Sequence, residues 1–243
     1  MKIDAALREF ERSLRRRIQG DDRQIASLAI QALAEYLEQD CKVEESEQLS
    51  SGHLIEFLLD YYPRQEQPEV IVGEVLLSTC EALCHWLVDR GERRSSPFLV
   101  IADRLHSDFP RSIRLFQALY ESVDRGEMPD TVDVHLPGDE DYEPGAQQAL
   151  LSTGLDRVTD LGEIDYDRSE EEYYRIERIE PLGLTLWSRE REALGEGTVG
   201  PLVVPAGARA ELRIGDILHV EIAPAGETWR LLEVFRVRPG GYE

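Results

Sequence analysis

The sequence contains no asparagine, only two lysines and only three cysteines in 243 residues. Without asparagine the chain has no acceptor for N-linked glycosylation. The cysteines, Cys41, Cys80 and Cys84, are too few for a disulfide framework and fit a reducing compartment. No apolar run approaches the roughly 20 residues of a membrane-spanning helix. The first residues, MKIDAALREF, carry charges where a secretory signal would have an apolar stretch. These absences predict a cytoplasmic protein that does not bind membranes.

Basic side chains are also scarce, with 27 Lys and Arg against 49 Asp and Glu, which gives a net charge of -22. Residues 127–180 hold 17 of the acidic side chains and four of the basic ones, more than half of the net charge. Binding to nucleic acids or anionic membranes needs clustered Lys or Arg, so the charge predicts a protein as the partner. The segment is typical of a solvated acidic connector. The alternative is an arm that docks on a basic partner or imitates nucleic acid.

Apolar residues recur at helical spacing through residues 1–126. The spacing predicts helices near residues 3–18, 21–41 and 51–62, a long apolar helix at about 70–90, and two more that begin at Pro97 and Pro110. Proline at a first helical position and glycine after a last one, such as Gly91, are typical helix boundaries. The sequence therefore predicts an N-terminal helical bundle.

The periodicity changes near Tyr173, where apolar and polar residues begin to alternate. Five short strand-like runs joined by turns predict a small antiparallel β-barrel of SH3-like or OB-like type. The stretch before them is rich in turn-forming and acidic residues and predicts little regular structure. The predicted fold class is α+β in separate domains, with a bundle at 1–126, an acidic connector at 127–171 and a barrel at 172–243.

Cys80 and Cys84 are four residues apart and are followed by His85, so the two thiols share one helix face and resemble a metal site. A tetrahedral site would need further ligands, for which Cys41 and His106 are the plausible donors. The two thiols also continue a stripe of leucines, and this pattern favours small apolar side chains in a core. We therefore predict no metal site and no cofactor.

No catalytic motif is visible. None of the histidines stands at a spacing that activates a Ser or Cys nucleophile; they are His53, His85, His106, His135 and His219. Gly195, Gly197 and Gly200 lie in the strand region and do not open a helix, so they do not form a phosphate-binding loop. The acidic residues 138–143 lack the ligand spacing of a calcium loop. No catalytic, cofactor-binding or metal-binding residue is predicted.

Two features could instead contact a partner. Residues 15–17 are three arginines at the end of the first helix, where they also complement the helix dipole. Trp187, Trp229 and Phe235 could form an aromatic recognition surface, although packing along the strands explains them more simply. The residues that bind a partner, and the oligomeric state, stay open.

The segment from Leu7 to Pro97 resembles the helical core-binding domain of tyrosine recombinases. The residues that carry the resemblance are LREFERSL, IASLAIQALAEYL, HLIEFLLDYY and EALCHWLVDRG with SSP after it. The resemblance implies a module of about four helices, which in that family clamps DNA. No catalytic domain with its Arg, His and Tyr set follows, and residues 1–126 are net acidic. The resemblance therefore supports a helical bundle more than DNA binding.

Taken together, these features predict a non-enzymatic protein-binding or regulatory protein. One alternative is a nucleic-acid-associated factor that uses the bundle or the barrel as its binding face, which would show as salt-sensitive binding. The other alternative is an enzyme of unrecognised type, for which a deep pocket with converging polar groups would be the signature.

Overall fold

Helices occupy the first part of the chain and strands the last, which confirms the predicted α+β fold class. The structure is a computed structural model that describes residues 1–18, 20–64, 68–92, 95–124 and 162–242. The chain forms two compact units, Met1–Arg114 with Tyr242 and Leu115–Gly241. Of the predicted acidic connector, residues 127–161 lie outside the described residues.

The helices of the first part are α1 (Ile3–Leu14), α2 (Asp21–Gln39), α3 (Ser51–Glu56), α4 (Val70–Asp89) and α5 (Phe98–Asp124). Helix α3 passes directly into a π-helical turn, Phe57–Tyr61. A capping box stabilises the start of α3. The Ser50 hydroxyl accepts the His53 N–H at 3.1 Å, and His53 Nδ1 accepts the Ser50 N–H at 3.2 Å. His53 therefore holds a helix start.

Helix α5 is continuous, so the prediction of a separate helix beginning at Pro110 is wrong. Proline lacks the N–H that a helix interior needs and usually begins or breaks a helix. Here Leu105, Phe109 and Ile113 are fully buried at successive four-residue steps, and this burial keeps the helix intact through the proline. The Ser112 hydroxyl donates to the Phe109 carbonyl oxygen at 2.7 Å, next to the position where Pro110 cannot make a backbone hydrogen bond.

Helix α4 is the most apolar of the long helices α1, α2, α4 and α5. It has 20 residues, and its most apolar window has a mean hydropathy of 1.5 and is 44% buried, so by length and composition alone it could cross a membrane. The central helix of a folded bundle meets the same criterion. Its buried side chains lie in the core of the first unit, among them Leu76, Leu77, Leu83 and Leu87.

The second unit contains the strands β1 (Glu170–Glu180), β2 (Gly183–Trp187), β3 (Thr198–Val203), β4 (Ile217–Ala225) and β5 (Thr228–Arg238), with short helices α6 (Arg189–Ala193) and α7 (Ala206–Arg209) on either side of β3. They close into a barrel in the order β1-β2-β3-β5-β4. The β3–β5 pairing is parallel and short, and the other pairings are antiparallel. Because β4 returns to lie beside β1, this is a Greek-key barrel, the OB-like one of the two predicted types.

The barrel interior is filled by side chains that point inward from alternate strand positions. The largest of them is Tyr174, which is fully buried. The last turns of α5 add Leu115, Phe116 and Leu119 to the same core.

Strands β2 and β3 approach each other closely at two glycines. A Cβ atom on Gly183 would lie 2.2 Å from the Leu202 carbonyl oxygen. A Cβ atom on Gly200, whose φ is +143°, would lie 2.5 Å from the Leu184 carbonyl oxygen. Both contacts are far shorter than any carbon–oxygen pair tolerates, so these positions require glycine.

Candidate functional site

One outward face of the barrel carries aromatic and charged side chains on three neighbouring strands. β1 pairs with β4 in unbroken antiparallel register, and β4 pairs with β5. Because successive side chains of a strand point to opposite sides, alternate residues line the outside. We call this surface the β1–β4–β5 face; its residues are Glu171, Tyr173, Arg175, Ile217, His219, Glu221, Glu233, Phe235, Arg236 and Arg238.

Three aromatic rings lie side by side across this face, the first two stacked and the third tilted against them; we call them the stack. Tyr173 on β1 lies opposite His219 on β4, with ring centroids 4.1 Å apart and planes within 12°. His219 in turn contacts Phe235 on β5 at a centroid distance of 4.8 Å. Tyr173 is 53% exposed, so the stack presents an aromatic surface to solvent.

A β-bulge brings Phe235 into the stack. His219 pairs with Arg236, whereas the next residue, Val220, pairs with Val234, so Phe235 is the extra residue of β5. A bulge re-aims side chains that regular alternation would send elsewhere. Phe235 and Arg236 consequently both lie beside His219 on the outer side of the barrel.

The imidazole of His219 is held in place by a carboxylate. Its Nε2 lies 3.0 Å from Oε1 of Glu171, and the two side chains are 17% and 55% exposed. This contact becomes an ion pair when His219 is protonated. The central ring of the stack therefore has a fixed orientation before any partner binds.

Positive and negative side chains occupy opposite ends of the face. One end holds Arg175 and Arg238, and Arg236 lies between the two ends, beside His219. The other end holds Glu171, Glu221 and Glu233. The three positive and three negative charges balance, so this face has no net charge in a chain of net charge -22.

The face continues onto β2 through Trp187. The guanidinium carbon of Arg175 lies 4.4 Å from the centroid of the Trp187 ring, a cation–π contact. Nη2 of Arg175 is also 3.5 Å from Oε1 of Glu177. Arg175 is thus held at the edge of the aromatic surface.

A separate polar cluster surrounds Arg191 on α6. Its Nη1 donates to Oε1 of Glu170 at 2.7 Å, its Nη2 donates to Glu196, and its guanidinium carbon lies 5.5 Å from the Trp229 ring centroid. Burial by itself lowers the pKa of Arg191, but the hydrogen bond and charge of Glu170 together with the charge of Glu196 act against burial, and the pKa is raised. With Arg191 only 9% exposed, the cluster anchors α6 to β1 and leaves little room for a ligand.

The cysteines lie where the leucine stripe predicted. Cys80 and Cys84 are each 1% exposed and belong to the core of the first unit, which confirms the prediction that they are core residues. Burial raises the pKa of the Cys80 thiol, whereas a metal-binding thiolate needs a lowered pKa. Among the described residues, no group of three or more His, Cys, Asp and Glu could hold a metal ion.

The other residues considered from the sequence lie apart from one another. Nε2 of His106 is 3.0 Å from Oε2 of Glu81 on the surface of the first unit. His85 is exposed, and His135 and residues 138–143 lie outside the described residues. No catalytic set of side chains forms around these histidines in the part of the chain that the structure describes.

The arginine patch at the end of α1 serves the bundle in part. Nη2 of Arg15 donates to Oε1 of Glu11 at 2.5 Å and to the Ser27 hydroxyl at 3.0 Å. Arg16 and Arg17 are exposed. Arg15 therefore links α1 to α2.

The three aromatic residues considered from the sequence do not form one surface. Trp187 and Phe235 border the β1–β4–β5 face, whereas Trp229 covers Arg191. Sequence reasoning did not assign the centre of the stack, Tyr173 and His219. The alternation along β1 was the available signal, because it places Tyr174 inside the barrel and Tyr173 outside.

Two clefts open on the first unit. One of about 390 Å³ lies between α1 and α2 and has Arg8, Glu11 and Glu38 at its rim. The other, of about 370 Å³, lies between the end of α1 and α4, and its lining includes Ile71 and Val75. In the first cleft the Ser27 hydroxyl donates to the Glu11 carboxylate, but Arg15 binds the same carboxylate, and no histidine or cysteine lines either cleft. The described clefts therefore do not supply a recognisable catalytic arrangement.

Comparison of the chain with protein-family models, with curated proteins and with solved structures finds no match.

Proposed function

We propose that this is a cytoplasmic, non-enzymatic protein-binding or regulatory protein whose binding surface is the β1–β4–β5 face. The observation that supports the proposal is the stack of Tyr173, His219 and Phe235 on the outer side of the barrel, in which Tyr173 is 53% exposed. Aromatic and arginine side chains are the types enriched at the buried centres of protein interfaces. The stack lies outside the barrel core, so folding alone does not explain it.

The face is also ordered in advance, which favours binding. Glu171 orients His219, and Trp187 holds Arg175. Immobilising a flexible side chain costs roughly 0.5–1.5 kcal/mol on binding. Side chains that are already held avoid most of this cost.

A nucleic-acid partner is the second candidate, because rings and arginines on small barrels also stack on bases and contact phosphates. Three glutamates on the same face and a net charge of -22 oppose it. The resemblance of residues 7–97 to a recombinase DNA-binding module stays a prediction.

The test is affinity capture from cells with two matched variants. Tyr173→Ala removes the exposed ring of the stack, and Tyr166→Ala removes a ring that is 65% exposed outside the face. We expect the wild-type protein and Tyr166→Ala to retain one protein, an untagged copy of this chain expressed beside the bait included, that Tyr173→Ala retains far less of, as measured by quantitative mass spectrometry.

Identical capture by both variants would show that the face is not the binding surface. The nucleic-acid candidate is tested separately, by fluorescence anisotropy with a labelled single-stranded oligonucleotide at low salt. Binding that Tyr173→Ala abolishes and that weakens steeply with salt would replace the protein partner with a nucleic acid.

A further inference from the structure

Two glutamates lie opposite each other on the β1–β4–β5 face, and no positive side chain of the described chain pairs with them. Glu221 on β4 pairs directly with Glu233 on β5. Within the described chain, neither carboxylate has a hydrogen bond or an ion pair. Like charges directly opposite each other on a strand surface are destabilising. An uncompensated arrangement of this kind is expected where a surface serves binding.

An uncompensated positive charge lies close by. Arg236 pairs in register with His219, one outward position along β4 from Glu221. Like the two glutamates, its side chain makes no hydrogen bond or ion pair within the described chain. Outward positions on a strand repeat every ~6.8 Å, so Arg236 and Glu233 are separated along the strand and not paired.

This arrangement is complementary to itself. A two-fold axis that lies in the plane of the face, runs across the strands and passes between His219 and Glu221 exchanges two neighbouring rows of side chains. These are the row of Tyr173, His219 and Arg236 and the row of Glu171, Glu221 and Glu233. Such an axis brings Arg236 of one copy over Glu233 of the partner subunit, and the reverse pair forms at the same time. Two-fold interfaces of this kind use one patch on both subunits.

We propose that the partner of the β1–β4–β5 face is a second copy of this chain, bound through reciprocal Arg236–Glu233 pairs. The proposal rests on the proposed function, since it names the partner of the same surface. The absence of net charge on the face favours it, because two copies of a chain of net charge -22 repel each other elsewhere on their surfaces. Covering the face also removes the exposed ring of Tyr173 from water.

The small area of the face predicts a weak affinity between the two copies. Three strands about 4.8 Å apart, with outward positions about 6.8 Å apart, give a contact smaller than the roughly 800 Å² per partner of a standard interface. We therefore expect a weak dimer, with a dissociation constant in the micromolar range or above.

The first measurement is sedimentation equilibrium of the full chain over protein concentrations of roughly 1 μM to 1 mM, which spans the dissociation constants of weak interfaces. The mass is expected to rise from the 27.7 kDa of one chain toward twice that value. A mass that stays at one chain throughout would overturn the proposal.

Charge reversal then tests the pairing. Arg236→Glu and Glu233→Arg each place like charges opposite each other in the dimer, so each alone should weaken association at least about ten-fold. The double variant Arg236→Glu with Glu233→Arg restores opposite charges and should dimerise as the wild type does. An equal mixture of the two single variants should form mixed dimers. Glu227→Arg, an exposed position outside the face, is the matched control and should not change association.

Folding is separated from association by thermal melting of each variant. Glu233→Arg places an arginine beside Glu221, so it should leave the barrel as stable or more stable while it weakens the dimer. The pairing would be overturned if the variants fold but the double variant does not regain association. It would also be overturned if Glu227→Arg weakened association as much as the single variants do. The wild-type protein could instead stay monomeric and still capture a different protein that the Tyr173→Ala variant does not capture. That result would overturn the second copy as the partner and leave the proposed function standing.

Discussion

Replacing Gly183 by alanine tests the close approach of β2 and β3 that closes the barrel. The added Cβ atom would lie 2.2 Å from the Leu202 carbonyl oxygen, whereas carbon and oxygen in contact sit more than 3 Å apart, as in even close C–H···O contacts of about 3.3 Å. The obstructing atom is backbone in a paired strand, since Leu202 is the register partner of Leu184. The two strands must separate by about 1 Å, and overpacking of this kind costs about 1–3 kcal/mol.

The assay is thermal unfolding followed by tryptophan fluorescence in a Trp86→Phe background, in which the two tryptophans left, Trp187 and Trp229, lie in the barrel unit. Since 1 kcal/mol moves the melting temperature of a small domain by about 4–8 °C, Gly183→Ala should lower the barrel transition by about 5–20 °C. Gly207→Ala is the matched control, because a Cβ atom there meets nothing within 4 Å. Equal melting temperatures for the Gly183→Ala and Gly207→Ala proteins would refute the reasoning.

Two further substitutions probe buried polar groups. Arg191→Met removes the hydrogen bonds to the Glu170 and Glu196 carboxylates, so the barrel should lose about 1.5–3 kcal/mol in urea unfolding, whereas Met at the exposed Arg189 should have little effect. A loss equal to that of Arg189→Met would show that the cluster is not anchoring α6. Burial raises the pKa of Tyr62 to about 12 from 10.0, so the neutral phenol stabilises the folded state below pH 10, and this stabilisation is lost as the pH rises toward 12. Tyr62→Phe should therefore lose stability at neutral pH, because its hydrogen bond to the Glu69 carbonyl oxygen is gone, yet decline less between pH 10 and 12; melting curves that decline in parallel for both proteins would contradict this.

The helices could be predicted because their information is local. A stripe of apolar residues recurs at helical spacing, and caps such as Ser50 with His53 mark where a helix begins. The exception, Pro110, shows the limit of local information. Proline is a boundary signal when only neighbours along the chain are considered, but the burial of Leu105, Phe109 and Ile113 decides whether the helix continues.

The barrel could be predicted as a class but not as a topology. Alternation and turns identify strands, yet two barrel types fitted them equally well. The choice depended on β5 inserting between β3 and β4, and strand order is set by contacts between residues far apart in the chain.

The candidate binding surface depended still more on tertiary structure. Alternation places Tyr173 outside, but its stacking on His219 requires a particular register between β1 and β4. Phe235 joins only because a bulge shifts β5 by one residue. A one-residue shift reverses the side to which a side chain points. The neighbouring residues in the sequence do not indicate such a shift.

The sequence by itself therefore determined the composition, the acidity, the helical and strand regions and the burial of the cysteine stripe. These follow from the identities of residues close together in the chain. The tertiary structure alone decided the strand order, the continuity of α5 and the meeting of Tyr173, His219 and Phe235. Each of these depends on pairing between distant segments, whose free energy is gained only when the whole unit packs.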